Sequence, residues 1–166
     1  MKNAILIIPI LVLLLFACGQ TNNITQRSSW VYDYEEVLTD AQELLLDSLI
    51  KDFEKRTTNE IALITAHNIG ESKSMMEHAI MLGDSLRVGK KDKNNGLVIL
   101  FSRNLRKTFL ATGYGTEKIL KDEICKKIID STIIPYYKQE DYFNGLKAGV
   151  LDCINRWEKA EAKTAN

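Results

Sequence analysis

Oxygen-bearing side chains stand beside glycines at four points of this chain: Asp33, Asn94-Asn95-Gly96, Gly113-Tyr114-Gly115, and Glu117 with Asp122. Carboxylates and carboxamides drawn from several loops suit a hard cation such as Ca²⁺ or Mg²⁺, and Ca²⁺ takes roughly six to eight oxygens. Gly96, Gly113 and Gly115 would let backbone amides or carbonyls approach such a ligand closely. Each group also has a plainer reading. Asp33 can cap a turn, Asn95-Gly96 can be a turn before a strand, and Asp122 can cap a helix. The sequence holds no nucleophile elbow, P-loop, HExxH pair, EF-hand loop or CxxC. His67 and His78 read as a strand-end and a helix-face residue, and Lys90-Lys91-Asp92-Lys93 as a solvated loop.

The elements that would position these groups follow from periodicity. Trp30 opens the ordered domain. Thr39 with Gln42 three residues on forms a capping box, and Leu44, Leu45, Leu49, Ile50 and Phe53 follow at helical spacing, predicting a helix over 40–56. Glu60 to Ala66 is a short apolar run and reads as a buried strand. Ser72 can cap a second helix to about Val88. Gly96 opens the most strand-like run, Leu97 to Phe101, and Lys107 to Thr112 alternates as its return strand, so the two predict an antiparallel hairpin. A helix from Glu117 or Lys121 to Ile133 follows, ended by Pro135, and a last helix runs from Tyr142 to about Trp157. This order predicts an α/β fold, a single αβα sandwich with a small mixed sheet and helices on both faces.

The first residues read as a leader rather than as fold. Lys2 precedes an apolar run from Ala4 to Ala17 that falls short of the roughly 20 residues a spanning helix needs. It ends in Leu15-Phe16-Ala17-Cys18-Gly19, which has the form of a lipobox. An uncleaved anchor and an ordinary signal peptide are the alternatives. The expected organisation is a leader over 1–17, a tether over 18–29 lipidated at Cys18, a domain over 30–157 and a frayed tail over 158–166. A lipidated cysteine holds a protein on a membrane leaflet, which implies the cell envelope, and Gly19-Gln20 favours an outer membrane facing the periplasm. With 22 basic and 22 acidic side chains the chain has no basic excess for nucleic acid. Of the other cysteines, Cys125 and Cys153, an oxidising compartment permits a bridge; two buried free thiols is the favoured reading.

In their order and spacing these pieces resemble the TPM domain family, also called the TPM phosphatase family, over residues 30–157. The resemblance rests on Val31-x-Asp33 with Val37-Leu38-Thr39, on Glu60-Ile61-Ala62, and on Gly89-Lys90-Lys91 followed by Asn94-Asn95-Gly96-Leu97-Val98-Ile99-Leu100. It continues through Arg106, Gly113-Tyr114-Gly115-x-Glu117, Leu120-x-Asp122, Ile134-Pro135 and Asp141-Tyr142-x-x-Gly145. It implies an αβα sandwich on the extracytoplasmic side of a membrane. It also implies binding of Ca²⁺ or a related ion, seen in some members, and weak acid phosphatase activity, described for plant members. Carried over residue by residue, Asp33, Asn95, Glu117 and Asp122 would be metal residues and Arg106 an anion contact. Asn94 stands where the family often has Asp, which removes one charge from the loop. The expected function is therefore a divalent-cation-binding interaction or assembly module of envelope membrane complexes, held by lipid on Cys18 and joined to a membrane or envelope protein partner. A weak metal-assisted phosphatase is the alternative, with Arg106 neutralising charge at the phosphoryl group.

Overall fold

The structure, a computed structural model, describes residues 29–164. The leader, Cys18 and all of the tether but Ser29 lie outside the described residues. A three-residue strand the sequence pattern does not reveal, β1 (Val31–Asp33), opens the domain. It is followed by α1 (Asp40–Thr57), β2 (Glu60–Thr65), α2 (Met75–Leu86), β3 (Gly96–Ser102) and β4 (Lys107–Thr112). Short helical pieces come next: α3 (Tyr114–Glu117), α4 (Asp122–Lys127), a π-helical stretch over Ile128–Ile133, and α5 (Ile134–Tyr137). The long α6 (Tyr142–Thr164) closes the domain.

Local chemistry accounts for most of these boundaries. The capping box at α1 forms as expected: Thr39 Oγ1 accepts from Gln42 N–H at 3.3 Å and Gln42 Oε1 accepts from Thr39 N–H at 2.9 Å. The α2 cap is Ser74, not Ser72, with Ser74 Oγ accepting from Glu77 N–H at 3.1 Å. Pro135 does not end a helix. It sits in the first turn of α5, where a missing N–H costs little. The preceding ladder widens to meet it, since Ile134 N–H reaches back five residues to Ile129 O. The last helix runs past Trp157 to Thr164, so the stretch from Glu158 is helical rather than frayed. It is held there by Arg56 on Glu158 and by Asn59 Nδ2 donating to Glu161 Oε1 at 2.8 Å.

The four strands lie in the order β1-β2-β3-β4, the first three parallel and β4 antiparallel to β3. One face buries the larger core, in which Leu46, Ile50 and Phe53 of α1 meet Ile61, Leu63, Leu97 and Ile99, with Leu146, Val150 and Trp157 of α6. The other face carries α2, whose Met75 and Ala79 pack on Ile64, Val98 and Leu100. This is the small mixed sheet with helices on both faces that the pattern predicts. Among the described residues, the buried side chains of both cores fall within residues 30–157. No described helix is long and apolar enough to cross a membrane.

Cys125 and Cys153 are free and buried in the larger core. Burial, then the nearby Asp122, pushes the Cys125 thiol up to about 11 from its ordinary 9.0, and burial pushes Cys153 higher still. Both thiols stay protonated in the fold at a pH where the unfolded chain ionises. Their contribution is therefore whole below about pH 9 and is lost as pH rises toward 11. Urea titrations should show stability falling through that window, with a flatter fall in Cys125→Ala. A thiol reagent at neutral pH should label neither cysteine before unfolding; labelling of the folded protein would contradict this burial.

Candidate functional site

The sheet separates the sequence-derived site residues into two groups. Asp33 pairs with Thr65, and Thr65 with Phe101, at the carboxyl ends of the parallel strands. Glu60 pairs with Gly96 at their amino ends, and β4 returns there, delivering Gly113, Gly115 and Glu117. Strands of this length put the two ends roughly 20 Å apart. Asp33 and Arg106 thus stand at one end, and Asn95, Glu117 and Asp122 at the other. One cation cannot be shared by all of them.

At the carboxyl end the acids are already engaged. Asp33 accepts the Thr65 hydroxyl on Oδ1 and Leu38 N–H on Oδ2 at 2.7 Å. Glu35, which the sequence reading missed, is 3% exposed. Its carboxylate accepts Arg103 N–H at 2.6 Å and Asn104 N–H at 3.1 Å, pinning the β3–β4 turn to the loop after β1. Partial burial, then Asp33 and Asp40, raises the Glu43 carboxyl above its usual range. Arg106 is exposed in a left-handed turn position (φ 52°) and makes no ion pair among the described residues. Nearby in sequence to this end, Ser72 Oγ lies 3.1 Å from His78 Nδ1, a contact at nucleophile–base distance. No carboxylate among the described residues bonds that histidine, so the third member of a hydrolytic triad is missing.

At the amino end two loops lock together. Asn95 is 5% exposed and fully used: Oδ1 accepts Lys90 N–H at 2.8 Å, while Nδ2 donates to Thr58 O at 3.0 Å and to Asn59 Oδ1 at 2.8 Å. Glu60, also missed from sequence, accepts Gly89 N–H at 2.7 Å and pairs with Lys90. Asn95 and Glu60 are braces here. The glycines serve the same lock. A Cβ on Gly113 would lie 2.4 Å from Asn94 O, and one on Gly115 would lie 2.1 Å from Lys93 O. Gly115 N–H in turn donates to Asn94 O at 3.0 Å. Their close approach is to the neighbouring loop.

That lock holds Tyr114 between the two glycines, where it is 80% exposed. Tyr114, Glu117, Lys118, Lys121, Asp122 and Glu123 line a shallow open groove of about 580 Å³. Glu117 and Asp122 are the two sequence-derived site residues that share one surface, and Glu123 joins them. None of the three carboxylates has a hydrogen bond or ion pair among the described residues. The donor type fits a hard cation. The positions do not converge: among the described residues no group of three or more His, Cys, Asp or Glu is placed to hold a metal ion. A cation in this groove would keep much of its water.

The profile of the TPM domain matches residues 31–156. Among solved structures, the N-terminal domain of a protein from P. gingivalis is 26% identical, with a TM-score of 0.74 over 82% of this chain and 87% of that one. The BA42 protein of Bizionia argentinensis is 21% identical (TM-score 0.65, 76% and 85% covered). The N-terminal domain of the cg2496 protein of Corynebacterium glutamicum is 11% identical (TM-score 0.61, 79% and 81% covered). These last two likenesses bear on the fold alone. No curated protein matches. The profile spans the domain from β1 into α6, and on that match the chain belongs to the TPM domain family.

Proposed function

We propose that this chain is an envelope-held binding module, tethered by lipid on Cys18, whose groove at Tyr114 weakly takes a divalent cation, Ca²⁺ or Mg²⁺, and engages a membrane or envelope protein partner. The observation that carries this reading is the pairing of a rigidly mounted, exposed Tyr114 with three carboxylates that have no other described employment. Ion affinity in such a water-rich site belongs in the submillimolar to millimolar range typical of extracellular modules. Binding is favoured over phosphoester turnover because Asp33 has both oxygens occupied and Arg106 stands at the far end of the sheet from the groove.

The test is thermal melting of residues 19–166 after chelation. At ten times Kd a native-state site adds about 1.4 kcal/mol, a Tm rise of a few degrees. Glu117→Gln with Asp122→Asn should remove the rise, and Asp33→Asn should keep it. An equal rise in the double variant, or none in the parent, would sink the cation reading.

A further inference from the structure

Charge at the carboxyl end of the sheet is sorted between its two edges. Asp33, Asp40 and Glu43 gather beside β1. The β3–β4 turn, on the other side, carries Arg103, Arg106 and Lys107, all exposed and none in an ion pair among the described residues. Neighbouring strands lie about 4.8 Å apart, so roughly 10–14 Å separates the two groups, at least about a Debye length at 0.1 M salt.

The basic turn is held in one shape. Arg106 N–H donates to Arg103 O at 3.2 Å, which brings the two Cα atoms within about 7 Å. Leu105 N–H donates to Ser102 Oγ at 3.1 Å, and Asn104 Nδ2 donates to His67 O at 3.1 Å. Glu35 takes the N–H groups of Arg103 and Asn104, so its charge is spent on the backbone of the turn. The turn lines neither the groove at Tyr114 nor the smaller hollow beside Pro135 and Tyr136. Three cations outside both hollows have no walls to enclose a small anion. An extended anionic surface can meet all three at once.

We propose that this turn rests on an anionic lipid leaflet, the one that carries the tether. Docking here presupposes the tether of the proposed function and goes beyond it by fixing which end of the domain faces the membrane. β1 begins level with Leu63 and Ile99, three residues short of Ser102. Ser29 therefore lies roughly 17 Å from the turn along the strand direction. Residues 18–28 reach at most about 40 Å, so a chain held at Cys18 can set the turn on the headgroups.

Lysine and arginine are drawn to an anionic leaflet within about a Debye length of it. Three such contacts are weak for a free protein, but the tether makes docking intramolecular, and a weak contact then suffices. The groove at Tyr114 faces away from the leaflet, roughly 20 Å further out, where a partner can reach it.

The full chain, assembled into phospholipid nanodiscs that carry a gadolinium-chelate lipid, reads which end faces the membrane. With phosphatidylglycerol in the disc, the amides of Arg103 to Lys107 should relax faster than those of Tyr114 to Glu123, each against a lutetium control. In phosphatidylcholine alone this difference should be lost. It should also be lost at about 1 M salt, where the Debye length falls to about 3 Å. Arg103→Gln with Arg106→Gln and Lys107→Gln changes only exposed positions, so it should keep the circular dichroism and lose the difference. Lys55→Gln with Lys159→Gln removes two exposed cations near the other end and should keep it. Equal relaxation of both ends in the anionic disc would overturn the proposal. So would faster relaxation at the groove, or a difference that survives the triple glutamine variant. The mass of the same chain reports the lipid on Cys18 separately. A lipidated chain with no difference would leave the anchor standing and remove the docking.

Discussion

Trp157→Ala should cost about 4 kcal/mol of stability, the largest single loss expected in this domain. Trp157 is 1% exposed on α6, and its ring meets Phe53 of α1 edge-on, with centroids 5.5 Å apart at 60°. It joins α6 to α1 on the face where both cover the sheet. Truncation loses the transfer free energy of the indole and leaves a cavity that two helices pinned elsewhere cannot close. Arg56 on Glu158 and Asn59 on Glu161 hold the helix ends together beyond it. Urea unfolding followed by circular dichroism should show a lower midpoint at unchanged slope, with Tm down by about 8–16 °C. Phe53→Ala should cost a similar amount, and the double variant less than the sum, because the two share one cavity. A loss below about 1 kcal/mol for Trp157→Ala would mean that α6 does not pack on α1 as described.

Sequence pattern read best where a local rule and the tertiary fold agree. The Thr39–Gln42 box marked the start of α1, and the alternation in Lys107–Thr112 marked β4, because in both the partners lie close in the chain. β1 leaves no mark in the sequence because three residues are too few to show a period; it is a strand by virtue of pairing with Leu63, Ile64 and Thr65. The pieces after Gly115 share one helical period in sequence because apolar spacing survives the π-helical widening before Pro135. The crossovers carry no sequence signal either. Both step the same way across the sheet, but α1 lies on one face and α2 on the other, so the two are of opposite hand, against the usual right-handed preference.

The candidate site divides along the same line. Glu117 and Asp122 were legible as a pair because a short glycine-marked segment carries both. Asn95 was legible as a special residue but not as a brace, since its partners Thr58 and Asn59 come from the end of another helix. Glu35 and Glu60 gave no signal. What each binds is backbone N–H, which no residue type announces, delivered by a turn or loop distant in the chain.

Glu35 tests that last point, and Glu35→Ala should cost about 3 kcal/mol. Its carboxylate receives two backbone donors of the β3–β4 turn, at 2.6 and 3.1 Å, and hydrogen bonds to a charged group contribute about 1.5–3 kcal/mol each. The turn is exposed, so water recovers part of that loss. His67 Nδ1 stands 3.8 Å from Glu35 Oε1, but at 63% exposure this contact is screened and adds little. Glu35→Gln keeps one acceptor and turns an amide N–H₂ toward a backbone donor, so it should fall between the parent and Glu35→Ala. Amide exchange at Arg103 and Asn104 should quicken in the same order. The Ca²⁺-dependent melting shift should persist in both variants, because the groove lies at the opposite end of the sheet. If instead Glu35→Ala stays within about 0.5 kcal/mol of the parent, the carboxylate is not holding the turn. A buried acid free of structural duty beside Asp33 and Thr65 would then make the carboxyl end of the sheet, where α/β proteins commonly bind ligands, the stronger place to look for this domain's ligand.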